Sequence, residues 1–223
     1  GMQLAGGCAS GTLYQLGGGD AKYAGTLLGF VVGSVLAASH IEVWWGLPSL
    51  RPITLFTLGP WPAMLALELA AMALAYRLLG AAFPPRRLLV GGALLALLNA
   101  ATVLVSGQPW SETWAFTLWG SQLVALAGVH PEAWRFFRDA AYDVSPWVDR
   151  TSIMDLAIPT GALLAAGILG RFELRGAAPR AWMAATLGGV VMGYGARLSG
   201  GCNIGSYFST IASGDLSGWA WAL

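Results

Sequence analysis

The segment Leu88-Leu-Val-Gly-Gly-Ala-Leu-Leu-Ala-Leu-Leu98 contains no polar side chain and therefore has no face suited to water. A helix that is apolar on every side belongs in a membrane or in the core of a large protein. The whole chain has 223 residues, of which 56% are hydrophobic and 10% are charged, and its mean hydropathy is +0.62. Because this composition is typical of membrane proteins, the segment predicts a membrane-spanning helix.

Apolar runs of similar length recur along the sequence. A helix needs roughly 20 residues to cross the hydrocarbon layer of a bilayer. We predict spans at about 23–39, 54–79, 88–106, 114–129, 156–170 and 181–196. Small residues within these spans favour close helix packing; they are Gly25, Gly29, Gly33, Gly188, Gly189 and Gly193. The predicted fold class is all-α, a polytopic membrane helix bundle forming a single transmembrane domain over residues 1–223.

The arginines of two loops give conflicting indications of orientation. Positive charges collect on the cytoplasmic side, which would place the loop of Arg77, Arg86 and Arg87 and the loop of Arg171, Arg175 and Arg180 both inside the cell. Three predicted spans separate these loops, so one of them should re-enter the membrane instead of crossing it. The segment 114–129 is short and carries Gln122, and we expect it to be that one. Five crossings would leave the two cysteine-containing segments, one near each end of the chain, in inverted orientations, a pattern common among transporters.

Other polar residues of the spans and loops allow weaker predictions. Glu68 lies inside an apolar run, where a carboxylate is usually functional, although a hydrogen-bonded structural role is an equal alternative. Asn99 and Gln122 are expected to hydrogen-bond between helices. The segment 131–142 places Trp134 and Phe137 at helical spacing and predicts a short helix in the membrane interface. His40 and His130 lie at predicted span ends and are assigned no role.

The chain's only two cysteines lie in two similar segments, Gly1-Met-Gln-Leu-Ala-Gly-Gly-Cys8-Ala-Ser-Gly11 and Gly195-Ala-Arg-Leu-Ser-Gly-Gly-Cys202-Asn-Ile-Gly205. We interpret them as an internal duplication, with motifs at 1–14 and 195–208. Each glycine in a helix interior costs roughly 1 kcal/mol relative to alanine, so each motif predicts a break in a helix. Since unpaired backbone groups are costly in lipid, such breaks must be buried in protein or line a polar cavity. We expect two pseudo-symmetric re-entrant loops.

Two loops of this kind would line a narrow passage with backbone groups and one thiol from each half. A helix that restarts after each break would point its free amides and the positive end of its dipole at the passage, which attracts anions. Arg197 would add a positive charge near the entrance, with ordinary interfacial anchoring as the alternative. A soft or sulfur-containing anion is the expected cargo. The predicted pathway residues are Cys8, Cys202, Gly7, Gly201, Ala9, Ser10, Asn203, Gly11, Gly205 and Arg197.

Other interpretations of the cysteines remain open at this point. They could be small hydrophobic residues, a structural disulfide or a Cu(I) site, although no Met or His has a clear spacing to either one. A membrane thiol oxidoreductase or sulfurtransferase could cycle both cysteines through persulfide or disulfide, and a structural subunit would not use them. We expect no metal or other cofactor, and the net charge of +1 gives no reason to expect nucleic acid.

In the two cysteine segments the chain resembles the YeeE/YedE family of bacterial sulfur-transport proteins. The resemblance implies a multi-pass transporter of the bacterial inner (cytoplasmic) membrane, not an enzyme, for thiosulfate or a related sulfur or selenium species. It also implies that pore cysteines, here Cys8 and Cys202, pass the anion along by thiol hydrogen bonds. Family members carry a further cysteine in an N-terminal region that this sequence lacks, and we expect the chain to be a fragment with truncated termini. A small cytoplasmic sulfur-carrier protein is the implied partner.

Overall fold

The computed structural model describes residues 1–49, 53–80, 82–138 and 142–221. Within these ranges the regular structure is helical, and extended segments form only isolated bridges, so the predicted all-α class is confirmed. The α-helices are α1 Met2–Ala5, α2 Ala9–Gly17, α3 Lys22–Ser39, α4 Ile41–Trp45, α5 Trp61–Leu78, α6 Arg86–Ser106, α7 Thr113–Leu126, α8 Arg150–Ile168, α9 Pro179–Leu198, α10 Thr210–Ala212 and α11 Ser217–Trp221. Short 3₁₀ helices cover Leu55–Thr57, Pro131–Ala133 and Arg135–Phe137, and a π-helical segment covers Asn203–Ser209.

Six long helices, α3 and α5 to α9, correspond to the six predicted spans. Four of them in the described part of the chain, α3, α5, α6 and α8, are long and apolar enough to cross a membrane. Helix α8 begins at Arg150, earlier than predicted, because the carboxylate of Asp149 caps it by accepting a hydrogen bond from the amide of Ser152 at 2.7 Å. Helix α5 begins later, since Pro60 precedes it in an extended conformation.

Helix α7 is shorter than a membrane is thick. Its 14 residues extend about 21 Å at 1.5 Å per residue, against roughly 30 Å of hydrocarbon. It is nevertheless well buried by protein, with Ala115, Phe116 and Leu118 inaccessible to solvent. This length agrees with the prediction that 114–129 re-enters the membrane, which stays a prediction.

The chain divides into two compact units, Gly1–Ser49 with Ser111–Gly205 and Leu50–Trp110 with Ser206–Leu223. Both cysteines belong to the first unit. The prediction of a single transmembrane domain over the whole chain stays a prediction.

Glycines hold the first unit together by allowing α3 and α9 to touch along their backbones. A side chain placed on Gly29 or Gly33 would overlap a carbonyl oxygen of α9, and one on Gly189 or Gly193 would overlap a carbonyl oxygen of α3. The hydroxyl of Ser34 donates a hydrogen bond to the carbonyl oxygen of Gly193 at 3.3 Å within this contact. The predicted close packing through small residues is confirmed, including Gly25 against Trp182 and Gly188 against α1.

In the second unit, α5 and α6 leave most of their apolar side chains exposed, as helices surrounded by lipid do. Their buried polar residues are Glu68 and Asn99. Trp219 donates a hydrogen bond to the Glu68 carboxyl group, whose Oε1 has no partner. Asn99 Oδ1 accepts a hydrogen bond from the backbone amide of Trp110 at 2.9 Å, so this side chain bonds a loop and the prediction of a helix-to-helix bond was wrong.

The segment after α7 does not form the predicted interfacial helix in its described residues; positions 139–141 lie outside them. Two 3₁₀ turns are separated by Trp134 in an extended conformation, because Phe136 and Phe137 turn inward and pack on the ring of Trp114. The side chain of Gln122 donates hydrogen bonds to backbone carbonyl groups of this loop, at 3.0 and 2.8 Å, instead of bonding another helix. Tertiary aromatic packing therefore overrides the local helical spacing.

Candidate functional site

The first cysteine segment is a helix that stops and starts again. Helix α1 ends at Gly6, whose φ of 77° is left-handed and favours glycine, and α2 begins after Cys8. The sulfur of Cys8 accepts a hydrogen bond from the amide of Gly11 at 3.4 Å and lies 3.3 Å from the hydroxyl of Ser10. The hydroxyl of Tyr23 donates to the Gly6 carbonyl oxygen at 2.9 Å, which fixes the break against α3.

The second cysteine segment repeats this arrangement. Helix α9 ends at Leu198, Gly200 has a left-handed φ of 76°, and helical structure resumes at Asn203. The amide of Gly205, three residues after Cys202, again points to the cysteine sulfur, as does the amide of Ile204. The predicted breaks are thus present in both segments, whereas the predicted re-entrance into the membrane stays a prediction.

The likeness of the two segments continues beyond the predicted motifs. Asp20 follows Cys8 by 12 positions and Asp215 follows Cys202 by 13. Each aspartate comes after a left-handed glycine, forms an isolated bridge, and accepts a hydrogen bond from the amide two residues later. The π-helical geometry of Asn203–Ser209 has more residues per turn than the α-helical geometry of α2, and it absorbs the extra residue.

Cys202 and the residue after Cys8 belong to one apolar core. Cys202 is 6% exposed and Ala9, the neighbour of Cys8, is 3% exposed. They belong to one cluster of buried residues with Leu13, Phe30, Phe116 and Ala196. The structure therefore brings the start of α2 and the second break together, as the sequence predicts for a shared passage. Both cysteines are free thiols.

The other predicted pathway residues support the two breaks in different ways. Gly7 lies against the ring of Tyr23, and Gly201 is buried, with its carbonyl oxygen accepting a hydrogen bond from the hydroxyl of Ser199 at 3.0 Å. Asn203 is partly buried and begins the π-helical segment. Their pathway roles stay predictions.

Arg197 lies beside Cys202, with which it interacts electrostatically. Its Nη2 donates a hydrogen bond to the hydroxyl of Thr113, and its guanidinium group lies 5.5 Å from the ring centre of Phe136. The Nε of Arg197 is buried and has no hydrogen-bond partner. Thus a buried positive charge that acts on the Cys202 thiol has one N–H group without a hydrogen-bond partner.

Sequence reasoning missed Glu112, the residue directly before α7. It is fully buried, and its Oε2 accepts a hydrogen bond from the Cys202 thiol at 3.5 Å, while Oε1 has no partner. Nothing in the local sequence marks Glu112 as buried, because it follows the loop residues Pro109-Trp110.

Sequence reasoning also missed Asp155 on α8. Its side chain is fully buried, neither carboxyl oxygen has a hydrogen-bond partner, and it interacts electrostatically with Glu112. An acidic residue within an apolar helix is a functional signal, but the predicted span began one residue too late to include it. Within the described ranges no three His, Cys, Asp or Glu side chains come close enough to hold a metal ion.

Comparison with known proteins places the chain in a family. The family model described as "Sulphur transport" matches residues 1–223. The chain belongs to the sulphur-transport family. It is 36% identical over 122 residues to the probable transporter YedE of Escherichia coli, and 33% identical over 120 residues to that of Salmonella typhimurium; each match covers 53% of the chain and 30% of the relative.

A further family member matches the chain over nearly its whole length. The thiosulfate transporter TsuA of Escherichia coli is 26% identical over 237 residues, which cover 98% of this chain and 66% of TsuA. The chain therefore spans between about a third and two thirds of the curated relatives it matches. As a member of this family with apolar helices of spanning length, it is a multi-pass membrane protein.

Proposed function

We propose that this chain forms the conducting part of a transporter that takes up thiosulfate, or a closely related sulfur anion, across the bacterial inner membrane. The observation that carries the proposal is the paired arrangement of the cysteines. Each one starts a helix after a glycine break, each sulfur is met by the amide of the glycine three residues later, and the two segments share one core. In the membrane the breaks would be re-entrant loops that line the passage.

A thiol suits the transient binding of a sulfur anion. The neutral S–H group is a weak donor and leaves the anion free to move on, whereas a thiolate would repel it. Conduction needs binding that is favourable but weak and spread over several sites. The sulfur atoms of Cys8 and Cys202 provide two such sites, and the amides of Gly11 and Gly205 add partial positive charge.

Arg197 supplies the attraction that the thiols lack. Its guanidinium group holds a free donor next to Cys202 and is anchored by Thr113. Charge-assisted hydrogen bonds are stronger than neutral ones, so Arg197 would draw the anion to the second cysteine. We place it inside the passage, beyond the entrance position expected from sequence.

The cargo and partner are proposals drawn from chemistry and from the relatives. TsuA is named a thiosulfate transporter, and its match covers nearly all of this chain. A selenium compound of the same charge would fit the same soft donors and is the alternative cargo. A small cytoplasmic sulfur-carrier protein would receive the anion. We propose a conduit and not an enzyme, since the two free cysteines stand 194 positions apart and form no Cys-x-x-Cys pair.

The test is thiosulfate-dependent growth of a bacterium that lacks its own uptake route and expresses this chain. Cys8→Ala and Cys202→Ala are compared at equal membrane abundance, with Tyr14→Phe, an exposed substitution on α2, as the matched control. We expect growth to be lost in both cysteine variants and kept in the control. Growth of both cysteine variants at the unsubstituted rate would refute a role for the thiols in transport.

A further inference from the structure

Two fully buried carboxyl groups, Glu112 next to the second cysteine and Asp155 next to Glu112, have oxygens without a hydrogen-bond partner. Both oxygens of Asp155 and one oxygen of Glu112 lack a hydrogen bond, and the two side chains interact electrostatically. Glu112 directly precedes α7 and Asp155 lies on α8, and these two helices pack against each other. A buried carboxylate without a partner is costly, and such a group binds a proton or a cation instead.

The ion pairs found in the described part of the chain involve neither Glu112 nor Asp155. Helix α9 contributes Arg197, whose interactions are with Thr113, Phe136 and Cys202. Asp149 adds a further negative charge near Asp155, although its Oδ2 is engaged in capping α8. Other charged or titratable groups lie on or next to the elements packed against α7 and α8. They are Cys8 and Tyr14 by α2, Lys22 and Tyr23 on α3, His130 and Glu132 at the 3₁₀ helix Pro131–Ala133, Arg150 on α8, and Arg180, Tyr194 and Cys202 on or after α9.

An anion that reaches Cys202 must approach this pair, because the thiol donates its hydrogen bond to Glu112. With both carboxyl groups ionised, Arg197 leaves the three side chains with one net negative charge, which repels an anion. With both protonated, the same three side chains carry one net positive charge, which attracts it.

We propose that Glu112 and Asp155 form a proton-binding site that couples anion uptake to proton influx, an inference that rests on the proposed transport function. Protonation of Glu112 weakens it as an acceptor for the Cys202 thiol, which then turns its S–H toward the arriving anion. When the anion leaves, both carboxyl groups give up their protons on the cytoplasmic side. Two protons carried with one divalent anion would move no net charge.

The full chain, purified and placed in liposomes with an internal pH dye, tests this inference with radiolabelled thiosulfate as the probe. We expect uptake to acidify the interior and to become faster as the external pH is lowered, because the protonated pair admits the anion. Glu112→Gln and Asp155→Asn imitate the protonated groups without exchanging protons. Combined in one chain, they should keep thiosulfate exchange between equal concentrations but lose both the acidification and the pH dependence, whereas Glu132→Gln, which replaces an exposed carboxylate, should behave like the unsubstituted chain.

Thiosulfate exchange at equal pH separates the two proposals. If the unsubstituted chain exchanges no thiosulfate, the proposed function fails. If it exchanges thiosulfate but the glutamine and asparagine variants still acidify the interior with the original pH profile, the proton site is refuted. Uptake that follows an imposed Na⁺ gradient and ignores the pH gradient would refute it as well. If the combined variant does not fold, each single variant should carry one proton per anion and acidify the interior about half as much as the unsubstituted chain. Acidification at the original level in a folded single variant would refute the site.

Discussion

At the residue scale, the environment of the Cys202 sulfur combines an acceptor and a positive charge. The thiol donates to Glu112, the amides of Ile204 and Gly205 point to the sulfur, and the guanidinium group of Arg197 lies nearby. In the described part of the chain, the hydrogen bonds of the Cys8 sulfur are with the uncharged groups of Ser10 and Gly11. In the proposed pathway the two thiols would therefore be unequal binding sites, and we expect an anion to dwell longer at the second.

Replacing Arg197 should weaken anion binding more than it weakens folding. A hydrogen bond to a charged group contributes roughly 1.5–3 kcal/mol, so we expect Arg197→Gln to raise the KM of thiosulfate uptake by about tenfold or more. Initial uptake rates in whole cells measure this change. Arg180→Gln, at the exposed start of the same helix, is the control and should leave KM unaltered. An equal KM in all three proteins would contradict the anion-binding role.

The sequence located the cysteines and Arg197 but not the two buried acids, and the reason is physical. The repeated glycines around each cysteine can be recognised from the sequence, because they act on the local backbone. Glu112 and Asp155 are buried by contacts with distant parts of the chain, such as the contact of Glu112 with Cys202. Such contacts leave no local pattern, and the predicted span missed Asp155 because the sequence reasoning did not use Asp149 as the cap of a longer α8.

At the scale of helices, the contact between α3 and α9 depends on the absence of side chains. The glycines of each helix meet carbonyl oxygens of the other, and no other residue type would fit at this separation. Their spacing was predictable because glycines four residues apart share one face of a helix. The helix predicted over 131–142 was not, since aromatic packing against Trp114 decides that segment.

Replacing a glycine of α9 by alanine should lower the stability of the protein at some positions and not at others. In Gly193→Ala the new group meets the carbonyl oxygen of Phe30, whereas in Gly195→Ala it meets nothing within 4 Å. Overpacking of this kind costs typically about 1–3 kcal/mol. We expect thermal unfolding in detergent to show a lower Tm for Gly193→Ala and an unchanged or higher Tm for Gly195→Ala. Similar Tm values for both variants would mean that the helices can move apart freely.

At the scale of the whole molecule, the composition and the long apolar helices made the membrane class predictable. The arginine pattern did not predict a single orientation. The positive-inside rule depends on the number of crossings, and the sequence does not show whether a short segment such as α7 crosses the membrane. Helix α8 belongs to the first unit and is long and apolar enough to cross a membrane. Labelling the loops on either side of it therefore tests the orientation.

Single cysteines on either side of α8 should be reached from opposite sides of the membrane. In a background of Cys8→Ser and Cys202→Ser, we compare Trp147→Cys with Leu174→Cys, whose side chains are 78% and 79% exposed. We expect a membrane-impermeant maleimide to label the first in intact cells and the second only in opened cells, because Arg171, Arg175 and Arg180 favour the cytoplasm. A permeant maleimide should label both. Labelling of both positions by the impermeant reagent in intact cells would show that α8 does not cross.

The backbone contact between α3 and α9 has a consequence for selectivity. Helix α3 follows the first cysteine segment through α2, and α9 leads directly into the second. Peptide groups have the same dimensions in every sequence and cannot change rotamer, so this contact sets a fixed separation between the two helices. If the proposed passage lies between the two cysteine segments, a preference for sulfur or selenium cargo would come from the chemistry of those segments and not from a change in the spacing of α3 and α9.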